Sequence, residues 1–168
     1  MTRAWPSETA LRIAIGVVAV AGLAVSGYLT AVRAAGDDPA CVVGGGCHTV
    51  QESEYSELVG IPVAVLGLVA YGALLVAALL PGPVGRALGL FTALVGVGFS
   101  AWLTYAEVVL IEAICAWCVT SAVLITLALI LTAVRAARAG SGAERGRSAR
   151  RSAPDPSPQG PSPPATPG

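Results

Sequence analysis

Four long stretches without a charged residue constrain this chain more than any other feature of its sequence. They cover residues 13–32, 58–80, 87–106 and 113–134. A helix needs about 20 apolar residues to cross the hydrocarbon core of a bilayer, and each stretch has about that length. Lipid offers no hydrogen-bonding partners to the backbone, so a spanning segment has to satisfy its own polar groups as a helix. The sequence therefore predicts an all-α integral membrane protein, a four-helix bundle.

A cleaved signal peptide is the alternative for the first stretch, because Arg3 and Arg12 precede it and small residues follow it. The run is longer than the apolar core of a signal peptide, and Arg33 is unfavourable beside a cleavage site. We therefore expect this stretch to remain as the first span.

The segment after the fourth stretch has a different composition. It is rich in Arg and then in Pro and Ser, with almost nothing apolar to bury. We expect two regions, a transmembrane domain at residues 1–137 and a disordered cytoplasmic tail at residues 138–168.

The placement of the arginines orients the predicted helices. If four helices alternate across the membrane, nine of the ten arginines fall on one side and only Arg33 falls on the other. The positive-inside rule places the arginine-rich side in the cytoplasm. Both termini are then cytoplasmic in a multi-pass plasma-membrane protein, whose arginine-rich tail can contact anionic lipid. Ten acidic residues offset the ten arginines, and no nucleic-acid partner is expected.

All four cysteines of the chain fall on the extracytoplasmic side of this predicted bundle. Cys41 and Cys47 lie in the long first loop, and Cys115 and Cys118 lie near the start of the fourth span. Disulfides persist in such an oxidising compartment. Two cysteines three apart on a helix share a face, and a helix N-terminus favours a thiolate. Three glycines between Cys41 and Cys47 leave that pair free to move or to exchange partners.

These positions predict a relay that carries two electrons by thiol–disulfide exchange. The thiols of an outside protein would reduce a Cys41–Cys47 disulfide, and a loop thiolate would then attack a Cys115–Cys118 disulfide. The dithiol formed there would pass its electrons to a lipid-soluble quinone held by the helices.

Several alternatives remain open at this point. The four thiols could bind zinc, although the compartment is oxidising, and no metal is predicted. Cys41 and Cys47 could form a purely structural disulfide, and Cys115 and Cys118 could be apolar fillers. A non-catalytic membrane scaffold or a small transporter would belong to another class, but the predicted spans contain none of the charges that mark transport.

The order of the motifs resembles the vitamin K epoxide reductase family in its bacterial form. The resemblance covers about residues 11–135. It rests on Cys41 and Cys47, then "HTVQES" ending at Ser53, then "YSELVGIPVAVLGLVAY", and finally "ICAWC".

The resemblance implies a role for each residue. Cys41 exchanges with the partner protein, Cys47 attacks Cys115, and the Cys118 thiolate lies next to the quinone ring. Ser53 is placed on a short helix of the long extracytoplasmic loop, at about residues 50–58, which closes over the quinone. Trp117, inside the CxxC motif, can line the same quinone site or belong to an interfacial aromatic belt.

The function implied by the resemblance is that of a membrane thiol:quinone oxidoreductase. It would oxidise a thioredoxin-like partner, reduce menaquinone or ubiquinone, and so support disulfide formation outside the cytoplasm. The alternative is reduction of vitamin K quinone or its epoxide by the same relay. The animal enzymes carry an Asn in the second span and a Tyr one turn past the CxxC motif, whereas this chain has no Asn and has Ala122 there. The tail is too short and too rich in proline for a fused thioredoxin-like domain, so we expect a separate donor protein.

Overall fold

The computed structural model of the protein describes residues 7–41 and 46–152. The chain divides into two compact units, Met1–Ala137 and Arg138–Gly168. Its long helices are α1 at Glu8–Ala35, α3 at Val63–Leu79, α4 at Gly82–Tyr105 and α5 at Ala116–Ser152. Within residues 7–41 and 46–152, three helical segments are long and apolar enough to cross a membrane, at Glu8–Ala35, Gly82–Leu110 and Ala116–Gly142. The all-α membrane fold is thereby confirmed.

The ends of α1 follow from local sequence signals. The hydroxyl of Ser7 accepts a hydrogen bond from the backbone N–H of Ala10, which caps the start of the helix. Gly36 ends the helix with a φ of 73°, a left-handed conformation that favours glycine. Arg33 lies in the last turn, where a cation interacts favourably with the helix dipole.

The first loop contains short elements in place of the single helix predicted at residues 50–58. A five-residue helix, α2, covers Cys47–Gln51, and a 3₁₀ turn follows at Glu54–Ser56. Strands β1, at Glu57–Leu58, and β2, at Ile61–Pro62, then pair antiparallel. Both residues between the strands have positive φ, as a two-residue hairpin turn of this kind requires.

The second predicted span is correspondingly wrong at its beginning. Residues 58–62 belong to the hairpin, and α3 has only 17 residues. At 1.5 Å per residue such a helix is about 26 Å long, somewhat less than the roughly 30 Å of hydrocarbon in a bilayer.

Two arginines satisfy the last carbonyl groups of α3. The guanidinium of Arg12 donates from Nε to the carbonyl oxygen of Ala78 at 2.7 Å. Arg135 on α5 donates from Nη1 to the carbonyl oxygen of Ala77 at 2.9 Å and pairs through Nε with Glu8 at 2.8 Å. These contacts supply partners that the end of a helix lacks within itself.

Residues from all four long helices form one apolar core. The core consists of Ala19 of α1, Tyr71 and Leu74 of α3, Ala93 of α4, and Ile125 and Ala128 of α5. Close approach depends on small residues, because a Cβ on Gly22 would lie 2.2 Å from the ring of Tyr71. Large apolar side chains such as Val17, Val69, Phe91 and Ile130 are exposed on the outside, as on a lipid-facing surface.

The segment predicted as a disordered tail is helical in its described part. Helix α5 continues to Ser152, beyond the boundary expected at residue 137, and the disorder of the tail stays a prediction. The rest of that prediction, at residues 153–168, lies outside the described residues.

Candidate functional site

Cys41 and Cys47 are joined by a disulfide, and the two residues differ in exposure. Cys41 is exposed, whereas Cys47, the first residue of α2, is fully buried. The backbone N–H of Cys47 also donates to the sulfur of Cys41 at 3.2 Å. One sulfur of this pair is therefore accessible from outside, and the other faces the protein interior.

The second pair, Cys115 and Cys118, is present as two thiols at the start of α5. Cys115 directly precedes the first residue of the helix and is fully buried. Its pKa is lowered to about 7, first by a hydrogen bond with the Cys118 thiol and then by the backbone N–H groups of Cys118 and Trp117. Burial and the charge of Glu107 act in the opposite direction. The Cys118 thiol and, to a smaller extent, the N–H groups at the helix N-terminus therefore favour a thiolate at Cys115.

The two cysteine pairs meet in one buried cluster. Cys47, Val50 and Cys115 form its centre, and Trp117 and Cys118 pack against it. Gly46 permits this approach, because a Cβ at that position would lie 2.7 Å from the carbonyl oxygen of Ile114 and 2.9 Å from its nitrogen.

Trp117 connects the first loop to the CxxC motif through a hydrogen bond. Its indole Nε1 donates to the carbonyl oxygen of Ala40 at 3.0 Å, immediately before Cys41. The hydroxyl of Tyr28 accepts a hydrogen bond from the backbone N–H of Ala40 at 3.0 Å. The rings of Tyr28 and Trp117 are in contact, with centroids 4.9 Å apart.

A cavity of about 490 Å³ lies among the long helices and beneath the loop, with Cys118 and Trp117 in its wall. Small-molecule sites commonly have volumes of about 300–1,000 Å³ and mostly apolar walls. The wall here is predominantly apolar, with side chains such as Val25, Leu66 and Phe99. An apolar compound bound in this cavity would lie directly beside Cys118.

Ser53 does not lie in the wall of this cavity. Its hydroxyl donates to the carbonyl oxygen of Val50 at 2.7 Å, between α2 and the 3₁₀ turn. Its loop neighbours Val50, Tyr55 and Ser56 do line the cavity. The loop therefore borders the cavity through residues other than Ser53, and a role of Ser53 beside a quinone stays a prediction.

His48 is half exposed and lies between two carboxylates. Its Nδ1 is 3.1 Å from Glu52 and its Nε2 is 3.2 Å from Asp38. This arrangement agrees with a solvated loop residue rather than with a partner of the buried Cys47 sulfur.

Two polar side chains of the cavity differ from the sequence prediction, because Tyr71 was not singled out and Glu107 was expected to mark the outer membrane boundary. The hydroxyl of Tyr71 lies 2.9 Å from the carbonyl oxygen of Ser121 and donates to it. Glu107, although close to the predicted end of the third span, is only 4% exposed, and its Oε2 accepts a hydrogen bond from the backbone N–H of Cys115 at 3.2 Å. An acid inside the apolar stretch 101–111 was the available signal for Glu107, but its burial could not be read from the sequence.

No group of three or more His, Cys, Asp or Glu side chains within residues 7–41 and 46–152 is arranged to hold a metal ion.

These features define a class of protein: an all-α membrane protein in which a disulfide and a dithiol share one buried cluster beside an apolar cavity. The chain belongs to the vitamin K epoxide reductase family, whose sequence profile matches residues 13–133. The family resemblance predicted from the motifs is thereby confirmed.

A curated relative is similar over a shorter segment. The thiol-disulfide oxidoreductase LTO1 of Arabidopsis thaliana is 44% identical to this chain over 46 residues, which is 27% of this chain. The matched segment covers 12% of the length of that relative. The printed name of this relative describes a thiol-disulfide oxidoreductase.

Proposed function

We propose that this protein is a membrane thiol:quinone oxidoreductase. It oxidises a thioredoxin-like protein outside the cytoplasm and reduces a quinone within the bundle. The burial of Cys47 and Cys115 in one cluster, with Cys118 beside an apolar cavity, is the observation that carries this proposal.

The first exchange takes place at Cys41. A thiolate of the partner attacks the exposed sulfur of Cys41, and the bond between Cys41 and Cys47 breaks. A second partner thiol then releases the partner as a disulfide. Two electrons have now passed to Cys41 and Cys47, which become thiols.

The second exchange takes place inside the cluster. The released Cys47 thiolate attacks the sulfur of Cys115 when Cys115 and Cys118 are joined as a disulfide. Burial of Cys47 and Cys115 in one cluster supports this choice of partners. The Cys41 thiolate then attacks the Cys47 sulfur of the mixed disulfide between Cys47 and Cys115. This step restores the disulfide of the outer pair, Cys41 and Cys47, and leaves the inner pair, Cys115 and Cys118, as a dithiol.

The quinone receives these two electrons from the inner pair. Cys118 lies in the cavity wall, whereas Cys115 is buried in one cluster with Cys47. Cys118 is therefore the cysteine next to the quinone, and Cys115 is the one that exchanges with Cys47. The indole of Trp117 also lines the cavity and would form part of the quinone site. The quinone is a substrate here and leaves as a quinol.

The arrangement in the membrane follows from the arginine bias. Four helices, with α3 as the short second one, would form a bundle with both termini in the cytoplasm and all four cysteines at the outer face. Labelling the reduced protein in closed vesicles with a membrane-impermeant maleimide tests this, because Cys41 must react from the outer side only.

The function is tested with purified protein, a reduced thioredoxin-like donor and a short-chain ubiquinone, whose absorbance reports turnover. We expect Cys118→Ala to abolish quinone reduction. Cys47→Ala should leave Cys115 and Cys118 oxidisable by quinone once, but should prevent repeated turnover with the donor.

The matched control is Thr120→Ala, an exposed position near Cys118 in the first turns of α5, which should turn over at the unmodified rate. Quinone reduction by Cys118→Ala at the unmodified rate would contradict the proposed function.

A further inference from the structure

Glu107 is a buried carboxylate that the relay described above does not use. It lies on a π-helical turn, Ala106–Leu110, that extends α4. Within the described part of the chain, no arginine or histidine forms an ion pair with it. Burial of a carboxylate without a cation is unfavourable, so such a group is commonly retained for a specific role.

Two cysteines and the cavity lie next to this carboxylate. Its Oε2 accepts the backbone N–H of Cys115 at 3.2 Å, and it lies close enough to Cys118 to interact with that thiol electrostatically. Glu107 and Cys118 both line the cavity. The carboxylate therefore lies against Cys115 and, like Cys118, borders the space in which a quinone would be reduced.

The chemistry of the inner pair requires a proton acceptor at this place. Oxidation of a dithiol by a quinone breaks two S–H bonds, forms one S–S bond and forms two O–H bonds on the quinol. Two groups near the Cys118 thiol can accept its proton, the sulfur of Cys115 in the same cluster and the carboxylate of Glu107 in the same cavity wall. Cys115 cannot keep the proton, because it must itself be a thiolate in order to close the disulfide.

We propose that Glu107 is the catalytic base of the inner cysteine pair: its carboxylate takes the proton of the Cys118 thiol and delivers it to a quinone oxygen in the cavity. The proton of Cys115 is lost to water before this step, and water supplies the second proton of the quinol. This assignment rests on the proposed function, because it needs the quinone as the final acceptor of both electrons.

Glu107→Gln separates this role from a purely structural one. The amide oxygen of Gln can still accept the backbone N–H of Cys115, so the packing around the CxxC motif is preserved. An amide cannot take the thiol proton. Glu112→Gln is the matched control, since Glu112 is an exposed acid five residues further along the same connection.

The first measurement is the rate of a single turnover of reduced protein with a short-chain ubiquinone over a range of pH. General-base catalysis typically contributes about 100-fold or more, so we expect Glu107→Gln to be at least about 100-fold slower. Its rate should rise with pH, because hydroxide must replace the missing base. The other titratable side chains that face this site are Tyr55, Tyr71, Cys115 and Cys118, and they are unchanged in the variant.

The second measurement needs no quinone. Reduced protein is alkylated with a small apolar maleimide, and the product at Cys118 is quantified by mass spectrometry of the peptide. If Glu107 assists removal of the Cys118 proton, Glu107→Gln is alkylated more slowly than the unmodified protein. If Glu107 only repels the Cys118 thiolate, the same variant is alkylated faster. The two interpretations therefore predict opposite changes in the rate of alkylation.

The outcomes distinguish the two proposals. Failure of unmodified protein and Glu112→Gln alike to reduce the quinone overturns the proposed function, and this assignment with it. If both are active, a Glu107→Gln variant that is also fully active, or that is alkylated faster, overturns the role of Glu107 alone. A variant that does not fold is replaced by Glu107→Asp, which keeps the carboxylate and should retain the unmodified shape of the pH profile at a reduced rate.

Discussion

The indole N–H of Trp117 donates to the carbonyl oxygen of Ala40 at 3.0 Å. This single bond joins the residue before Cys118 to the residue before Cys41. Because Ala40 also donates its own N–H to the Tyr28 hydroxyl, it is held from both sides at the point where the outer pair begins. Trp117 thus holds the two cysteine pairs in register in addition to lining the cavity.

Replacement of Trp117 by Phe should slow electron transfer between the two cysteine pairs. Phe keeps an aromatic ring against Tyr28 but loses the bond to Ala40, which is worth about 1 kcal/mol, or roughly a fivefold effect. The measurement is the rate at which reduced Cys41 and Cys47 reduce the inner disulfide, followed by rapid alkylation and mass spectrometry. Trp102→Phe, at an exposed position, is the control, and equal rates in both variants would show that the bond does not hold the loop.

Gly46→Ala should affect the same transfer more strongly. The added methyl group would lie 2.7 Å from a backbone oxygen of Ile114, so α2 must move away from Cys115. Separation of the reacting sulfurs by even about 1 Å can cost roughly 100-fold. Oxidation of the inner dithiol by quinone should be unaffected, because Cys118 and the cavity wall are untouched. Gly16→Ala, where the added methyl group meets open space, is the control. A Gly46→Ala variant that turns over with the donor protein at the unmodified rate would refute the need for this close approach.

The membrane helices could be predicted from the sequence because charge-free length is a direct physical requirement of lipid. Charge-free length failed as a criterion at residues 58–62, which form the hairpin. An apolar residue is equally suited to face lipid or to cover a cavity. Gly60, with a φ of 77°, allows the hairpin turn there, and no count of apolar residues detects it.

The two cysteine pairs could be located along the chain by their motifs. The bias of the arginines indicated the side of the membrane on which to expect them. Glu107 illustrates the remaining limit, because an acid at the end of a span is normally expected to face water. Here a π-helical turn brings it back beneath Cys115, and only the three-dimensional path of residues 106–115 reveals this contact.

Replacement of Arg135 by Met should destabilise the bundle. The guanidinium is only 1% exposed and donates to the carbonyl oxygens of Ala77 and Leu80 as well as to Glu8. A hydrogen bond to a charged group contributes about 1.5–3 kcal/mol, so we expect the free energy of unfolding to fall by about 3 kcal/mol. Thermal unfolding in detergent, followed by circular dichroism, measures the loss. The exposed Arg151→Met is the control, and a melting temperature of Arg135→Met equal to that of the control would contradict the prediction.

The dithiol form should show a thiolate that titrates near neutral pH. The pKa of Cys115 is lowered from 9.0 to about 7, chiefly by the Cys118 thiol, so its thiolate forms as the pH rises through about 7. A thiol whose pKa is lower in the folded state stabilises the fold fully above its unfolded pKa. That contribution is lost as the pH falls through the folded value. The reduced protein should therefore be more stable at pH 9 than at pH 6, whereas the oxidised protein should lack this contribution.

Ultraviolet thiolate absorbance of the reduced protein gives the midpoint of the Cys115 titration. Cys118→Ala should move this midpoint upward, because the largest stabilising hydrogen bond is removed. A midpoint near 9 in the unmodified protein would mean that the helix N-terminus and Cys118 do not activate Cys115.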